Sequence, residues 1–174
     1  MEELVSDPPA MKNAGKILSA ILLLTFLHPA NAQCPAIAHP APSTLDTPAL
    51  RHTIVNVAGL NFDQTLSFLY RFQDAVRCND KIAISNQVHY PLLINLGQKK
   101  LHIKSRAGFL KIYPTIFDEN LKKAVLSQIP DTLIANQYGV ALQHGEVWFG
   151  QTISKQGKES PIQIMTINND WLRE

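Results

Sequence analysis

Two cysteines, six histidines and fourteen scattered carboxylates are among the side chains of this sequence that could carry chemistry. An imidazole or a carboxylate in an apolar pocket acts as a general base, and an aromatic beside it serves recognition. The candidates for such work are His89, Tyr90, His102, Tyr138, His144 and Glu146, with Trp148 following as a contact residue. No spacing joins them into a reactive set. The chain has no His-x-x-x-His pair, no Gly-x-Ser-x-Gly elbow, no glycine-rich phosphate loop and no Cys/His ligand cluster. Metal catalysis and triad hydrolysis are therefore not expected, and no cofactor is assigned.

Each candidate also has a plainer reading. His144 precedes Gly145 in a two-residue turn and reads as an exposed loop residue, while His102 alternates outward between Leu101 and Ile103. His89 sits before Tyr90–Pro91 at a helix-to-strand joint and reads as structural; Trp148 reads as core. Glu146 fits either face of its strand. The binding candidates are thus His89, Tyr138, His144, Glu146 and Trp148, and no residue is assigned to catalysis.

Cys34 and Cys78 are the only cysteines. In an oxidising compartment such a pair most simply forms one disulfide, and without a Cys-x-x-Cys spacing neither zinc nor thiol exchange is indicated. Two free thiols are the alternative. A bridge would staple the proline-rich segment carrying Pro35, Pro40, Pro42 and Pro48 to the end of the first helix.

The compartment itself is readable. Lys12 and Lys16 form a basic start after Met11, residues 17–27 are a continuous apolar run, His28–Pro29 breaks it, and Ala30-Asn31-Ala32 supplies small residues for a peptidase. That layout predicts a signal peptide over residues 1–32, cleaved before Gln33, and a periplasmic or secreted protein with no membrane anchor afterwards. Residues 1–10 carry Glu2, Glu3 and Asp7 where translocation favours positive charge, so translation is expected from Met11 rather than Met1. Gln33 before Cys34 is too large for a lipidation site. The run 17–27 is too short to stay as a membrane anchor.

The 174 residues carry a formal net charge of +2 with neither sign in a block, which argues against nucleic acid as a partner. At 45% hydrophobic content one core can close without metal. We therefore expect a Pro/Ala-rich arm over 33–58 and a single α+β domain over 59–174.

Within that domain the apolar period changes from helical to strand-like and back. Asn61 caps a helix with Gln64 answering it, and Phe62, Leu66, Leu69 and Val76 recur on one face. Asp80 caps a shorter helix expected to stop at Pro91, and a hairpin turns at Gly97. Ser105 caps a third helix, bent at Pro114 and continuing past Val125. Three long strands follow, over 132–142, 146–153 and 161–167. The sets Phe62–Tyr70–Phe72 and Phe109–Tyr113–Phe117 read as core.

This order is accompanied by Asp74-Ala75-Val76-Arg77-Cys78-Asn79-Asp80 between the first helices and by Val88-His89-Tyr90-Pro91-Leu92 entering the sheet. Gly139-x5-Gly145-Glu146-Val147-Trp148 marks the central hairpin. Over residues 61–168 the chain resembles exported bacterial members of the nuclear transport factor two-like (cystatin-like) superfamily, departing at Gln143, where such members often carry a further glycine. The resemblance implies an α+β cone, in which a bent antiparallel sheet wraps a long helix, and pairing of two copies through the sheet. It does not imply an activity, since such folds host enzymes, carriers, scaffolds and toxin-neutralising partners.

The resulting expectation is a non-enzymatic binding protein of the envelope: an inhibitor, an immunity partner or an adaptor with a protein partner. Its contacts would come from the proline-rich arm, the tip at His144–Gly145 and the pair Trp148–Phe149. The alternative is an isomerase, dehydratase or hydrolase acting on a small molecule in the cone, which would need His89, Tyr138 and Glu146 around one buried cavity.

Overall fold

Asn61 starts the longest helix as its sequence requires: its side-chain oxygen accepts the Gln64 N–H at 3.0 Å, and α2 runs Phe62–Arg77. The computed structural model describes residues 34–35 and 37–169. The export segment, its start at Met1 or Met11, the cleavage before Gln33 and Trp171 lie outside the described residues.

Ahead of α2 the expected extended arm holds only in part. A short 3-10 turn spans Pro42–Thr44, and Thr47 then caps a helical stretch, α1 (Pro48–Arg51), that widens into a π-type turn over His52–Val57. The cause is burial. Leu50 and Ile54, four apart, drop into the core, and one helical turn brings the two side chains together on one face. The arm proper is stapled by the Cys34–Cys78 disulfide.

After α2, Asp80 caps α3 (Lys81–Asn86) by accepting the N–H groups of Ile82 and Ala83. Strand β1 (Val88–Leu96) then begins three residues before Pro91, which lies inside the strand with a cis peptide after Tyr90 rather than ahead of it. It pairs antiparallel with β2 (Lys99–Ile103). The third helix ends two residues past its proline instead of running on through Val125 as expected. Helix α4 (Arg106–Ile116) carries Pro114 in its last turn, and a separate α5 (Glu119–Ser127) restarts because Asp118 accepts the Leu121 N–H at 2.9 Å.

The stretch expected as one long strand from residue 132 is a hairpin of two short ones, β3 (Ile134–Asn136) and β4 (Gly139–Ala141). Asn136 folds the turn by accepting the Tyr138 N–H at 2.8 Å. Gly139 closes it at φ +142, where a Cβ would stand 2.4 Å from the Phe149 carbonyl oxygen. β5 (Val147–Gly150) and β6 (Gln163–Asn168) complete the sheet.

The sheet has six strands in the order β2-β1-β6-β5-β4-β3 and is mixed, since β1 and β6 run parallel while every other pair is antiparallel. An all-antiparallel sheet is thereby corrected; the α+β class stands. Leu92, Ile94, Val147, Phe149, Ile164 and Ile167 supply its buried face. Phe68 of α2 meets Phe149 with ring centroids 5.0 Å apart, and Phe72 meets Phe117 edge-on at 6.2 Å, so α2 joins the sheet to the segment after α4. Among the described residues no helix is long and apolar enough to cross a membrane.

The arm is latched to α2 by more than sulfur. The ring of His39 stacks on Tyr70 at 4.3 Å, and its Nε2 meets Asp74 at 2.9 Å. Arg77 bonds the same carboxylate and donates to the Pro35 carbonyl at 2.8 Å. Partial burial pushes the Asp74 carboxyl up, but the hydrogen bonds from His39 and Arg77 outweigh it and leave it below the ordinary value. A carboxyl depressed in the folded state contributes stability above its unfolded value and loses it as pH falls through the folded one. Acidifying below about pH 4 is therefore expected to loosen the arm while the disulfide retains it. The protection of amides over residues 37–45, relative to their intrinsic exchange rate at each pH, should fall there, and Asp74→Asn should remove the pH step; protection indifferent to both would refute the latch.

Candidate functional site

A tight turn between β4 and β5 carries the chemistry. Gly145 donates its N–H to the Leu142 carbonyl at 2.8 Å, and Leu142 N–H reaches the Val147 carbonyl at 3.1 Å. The turn is also gripped from the neighbouring strands: Asn168 donates its backbone N–H to the Glu146 carbonyl and its side-chain amide to the Gly145 carbonyl, while Asn95 donates to the Asn168 side chain. Gly145 takes φ +79, a conformation that costs glycine little.

So held, Glu146 is 2% exposed, an unusual place for a carboxylate. A buried carboxylate costs several kcal/mol unless hydrogen bonds replace its water. Both oxygens are supplied by one neighbour: Oε2 accepts the His144 backbone N–H at 3.1 Å, and Oε1 faces the His144 ring Nδ1 at 3.2 Å. An ionised carboxylate only accepts, so Nδ1 carries the proton and Nε2 is the nitrogen left for other partners. The His144 side chain is 65% exposed, which makes it an accessible imidazole on a buried mount.

The opposite wall is α5. Asn120, Lys123, Ala124 and Ser127, at helical spacing, enclose a cleft of about 280 Å³ with Gln128, Gln143, His144 and Glu146. Gln128 joins the walls, because its Oε1 accepts the Gln143 N–H at 2.7 Å while its amide donates to Ile129 and Thr132. Ser127 donates its hydroxyl to the Ala124 carbonyl at 3.3 Å. Lys123 has no ion-pair partner among the described residues.

Behind this wall Gln73 of α2 donates to the carbonyls of Val125 and Gln128 at 2.9 and 2.8 Å, both bonds buried. Gln73→Ala would strand those carbonyls, so we expect a loss of about 2 kcal/mol in urea unfolding at unchanged slope. A loss under about 0.5 kcal/mol would show that water replaces the amide.

Of the residues singled out from sequence, the structure brings His144 and Glu146 into one cleft. Trp148 adjoins their turn, with its Nε1 3.5 Å from where a Cβ on Gly145 would stand. Tyr138 is 78% exposed on the β3–β4 turn, and His89 lies half-buried in β1; neither lines the cleft. Lys123 and Gln128 are not among the sequence candidates and Gln143 figures there only as a departure from the family pattern, although the Asn120–Lys123–Ser127 spacing opposite buried Leu121 and Val125 marks a polar helix stripe. Among the described residues no three His, Cys, Asp or Glu side chains are placed to hold a metal ion.

These features define an α+β domain with one disulfide and a polar cleft between α5 and the β4–β5 turn. Comparison of the chain with protein-family models, with curated proteins and with solved structures gave no match in any of the three.

Proposed function

We propose that this is an exported, non-enzymatic binding protein that recognises its partner through the cleft between α5 and the β4–β5 turn. The observation that carries the reading is Glu146: a buried carboxylate whose two oxygens are both spent on orienting one exposed imidazole. A fixed donor–acceptor on a rigid turn loses little entropy when it is bound. Export is supported by the sequence of residues 11–32 and by the Cys34–Cys78 disulfide, which belongs to an oxidising compartment such as the periplasm.

Within this reading the partner is an envelope protein, and the chain acts as inhibitor, immunity partner or adaptor. The fold is read as a variant of the nuclear transport factor two-like cone, a view supported by long α2 lying against the sheet through Phe68 and Phe149. Pairing of two copies through the sheet belongs to the same reading, and a monomeric mass by light scattering would remove that part.

The His144–Glu146 pair also favours a second reading, because a carboxylate-held imidazole is the arrangement of a general base. A base needs something to activate, and the hydroxyl in the cleft, Ser127, is bonded to its own helix. A photo-crosslinking residue at exposed Gln143 tests the choice in living cells, with Lys155 on a separate turn as control. One discrete adduct from position 143 that disappears with His144→Ala supports binding. Adducts indifferent to His144, or none, would sink it.

A further inference from the structure

Resting on the binding reading, the cleft itself indicates what chemical group it takes. Its volume, about 280 Å³, falls at the lower limit of small-molecule sites, so it suits one functional group or one side chain rather than a large cofactor. Two side chains on its walls carry or can take up positive charge: the Lys123 ammonium and the His144 imidazole, whose Nε2 faces no partner in Glu146. Gln128 is already spent at both ends, and Ser127 on its own helix. The charges facing the imidazole are Glu146, in its own turn, and Lys123, across the cleft on α5.

An unpaired lysine calls for an anion. The buried negative charge of Glu146 disfavours a doubly charged phosphate and leaves a singly charged carboxylate as the better match. We propose that this cleft is a carboxylate-binding site, with Lys123 supplying the charge and the Glu146-held ring of His144 the directed hydrogen bond.

One consequence follows from proton bookkeeping. Nδ1 already donates to Glu146, so Nε2 donates to a bound carboxylate only when the ring takes up its second proton. The imidazolium then lies between two carboxylates. The bound ring thus carries one proton more than the tautomer held by Glu146 alone.

The test uses the chain as purified from expressing cells and follows the His144 ring protons by NMR. The probes are N-acetylglycine, its uncharged analogue N-acetylglycinamide, and an acetylated, amidated peptide with one internal glutamate. Saturable shifts with N-acetylglycine, with the glutamate peptide or with both are expected, and which of them binds separates a chain-terminal acid from a side-chain acid. The amide should do nothing, and sodium chloride at equal ionic strength should do nothing. Lys123→Gln and His144→Gln, both at cleft-wall positions away from the buried core, should each weaken binding by about fivefold or more.

Equal response to acid and amide, or response unchanged by both substitutions, would overturn the assignment. If the acids fail while the His144-dependent adduct at position 143 persists, the ligand class is wrong and the binding reading stands. If both fail, the binding reading falls as well.

Discussion

Phe149→Ala is expected to cost about 4 kcal/mol, a large part of a typical domain's stability. Phe149 is fully buried in β5, and its ring meets Phe68 at 5.0 Å, the aromatic contact through which α2 grips the sheet. Truncation removes the transfer energy of the ring and leaves a hole that the paired backbones of β4 and β6 cannot move to fill. Phe149→Leu keeps most of the volume and should cost less than half as much. Urea unfolding followed by circular dichroism reads both. A loss below about 1 kcal/mol for the alanine variant would mean that the α2–sheet contact is not central to the fold.

The second large effect is the disulfide. Cys34 and Cys78 are 44 residues apart, and releasing that loop in the unfolded chain is expected to cost about 4 kcal/mol on the loop-entropy relation. The folded side loses less, because the Asp74–His39–Arg77 latch and the Tyr70 stack still hold the arm without sulfur. The prediction for the Cys34→Ser/Cys78→Ser chain is thus a marked fall in unfolding midpoint with the arm still protected at neutral pH. Reduction that leaves the midpoint in place would remove the disulfide from the account of stability.

What was legible in the sequence was whatever rests on local bonding. Asn61, Asp80 and Ser105 all cap the helices they were expected to cap, because each needs only its own next turn. The break between α4 and α5 was missed because Pro114 draws attention as the disruptor, whereas Asp118 four residues later offers the better start. The β3–β4 turn was missed although Asn136-Gln137-Tyr138-Gly139 interrupts the apolar pattern, because residues 132–142 together have the length of one strand.

Strand partners were beyond reach. Alternation identifies a strand and its buried face, but it does not say that β6 lies parallel beside β1, and that pairing places Asn168 and Asn95 under the turn of His144. The site was half visible for the same reason. His144 and Glu146 are two residues apart and were noticed, yet the burial of Glu146 depends on that distant support, and Lys123 arrives from a helix some twenty residues earlier in the chain.

The position of β6 has one more consequence. It is the last of the six strands in chain order, yet it occupies the middle of the sheet, joining the β1–β2 hairpin to the β3–β4–β5 meander. Until residues 163–168 have left the ribosome, those two pieces have no edge to share and α2 has no complete surface to settle on. The two halves of the sheet therefore meet only through β6, and the sheet closes only once residues 163–168 have been made.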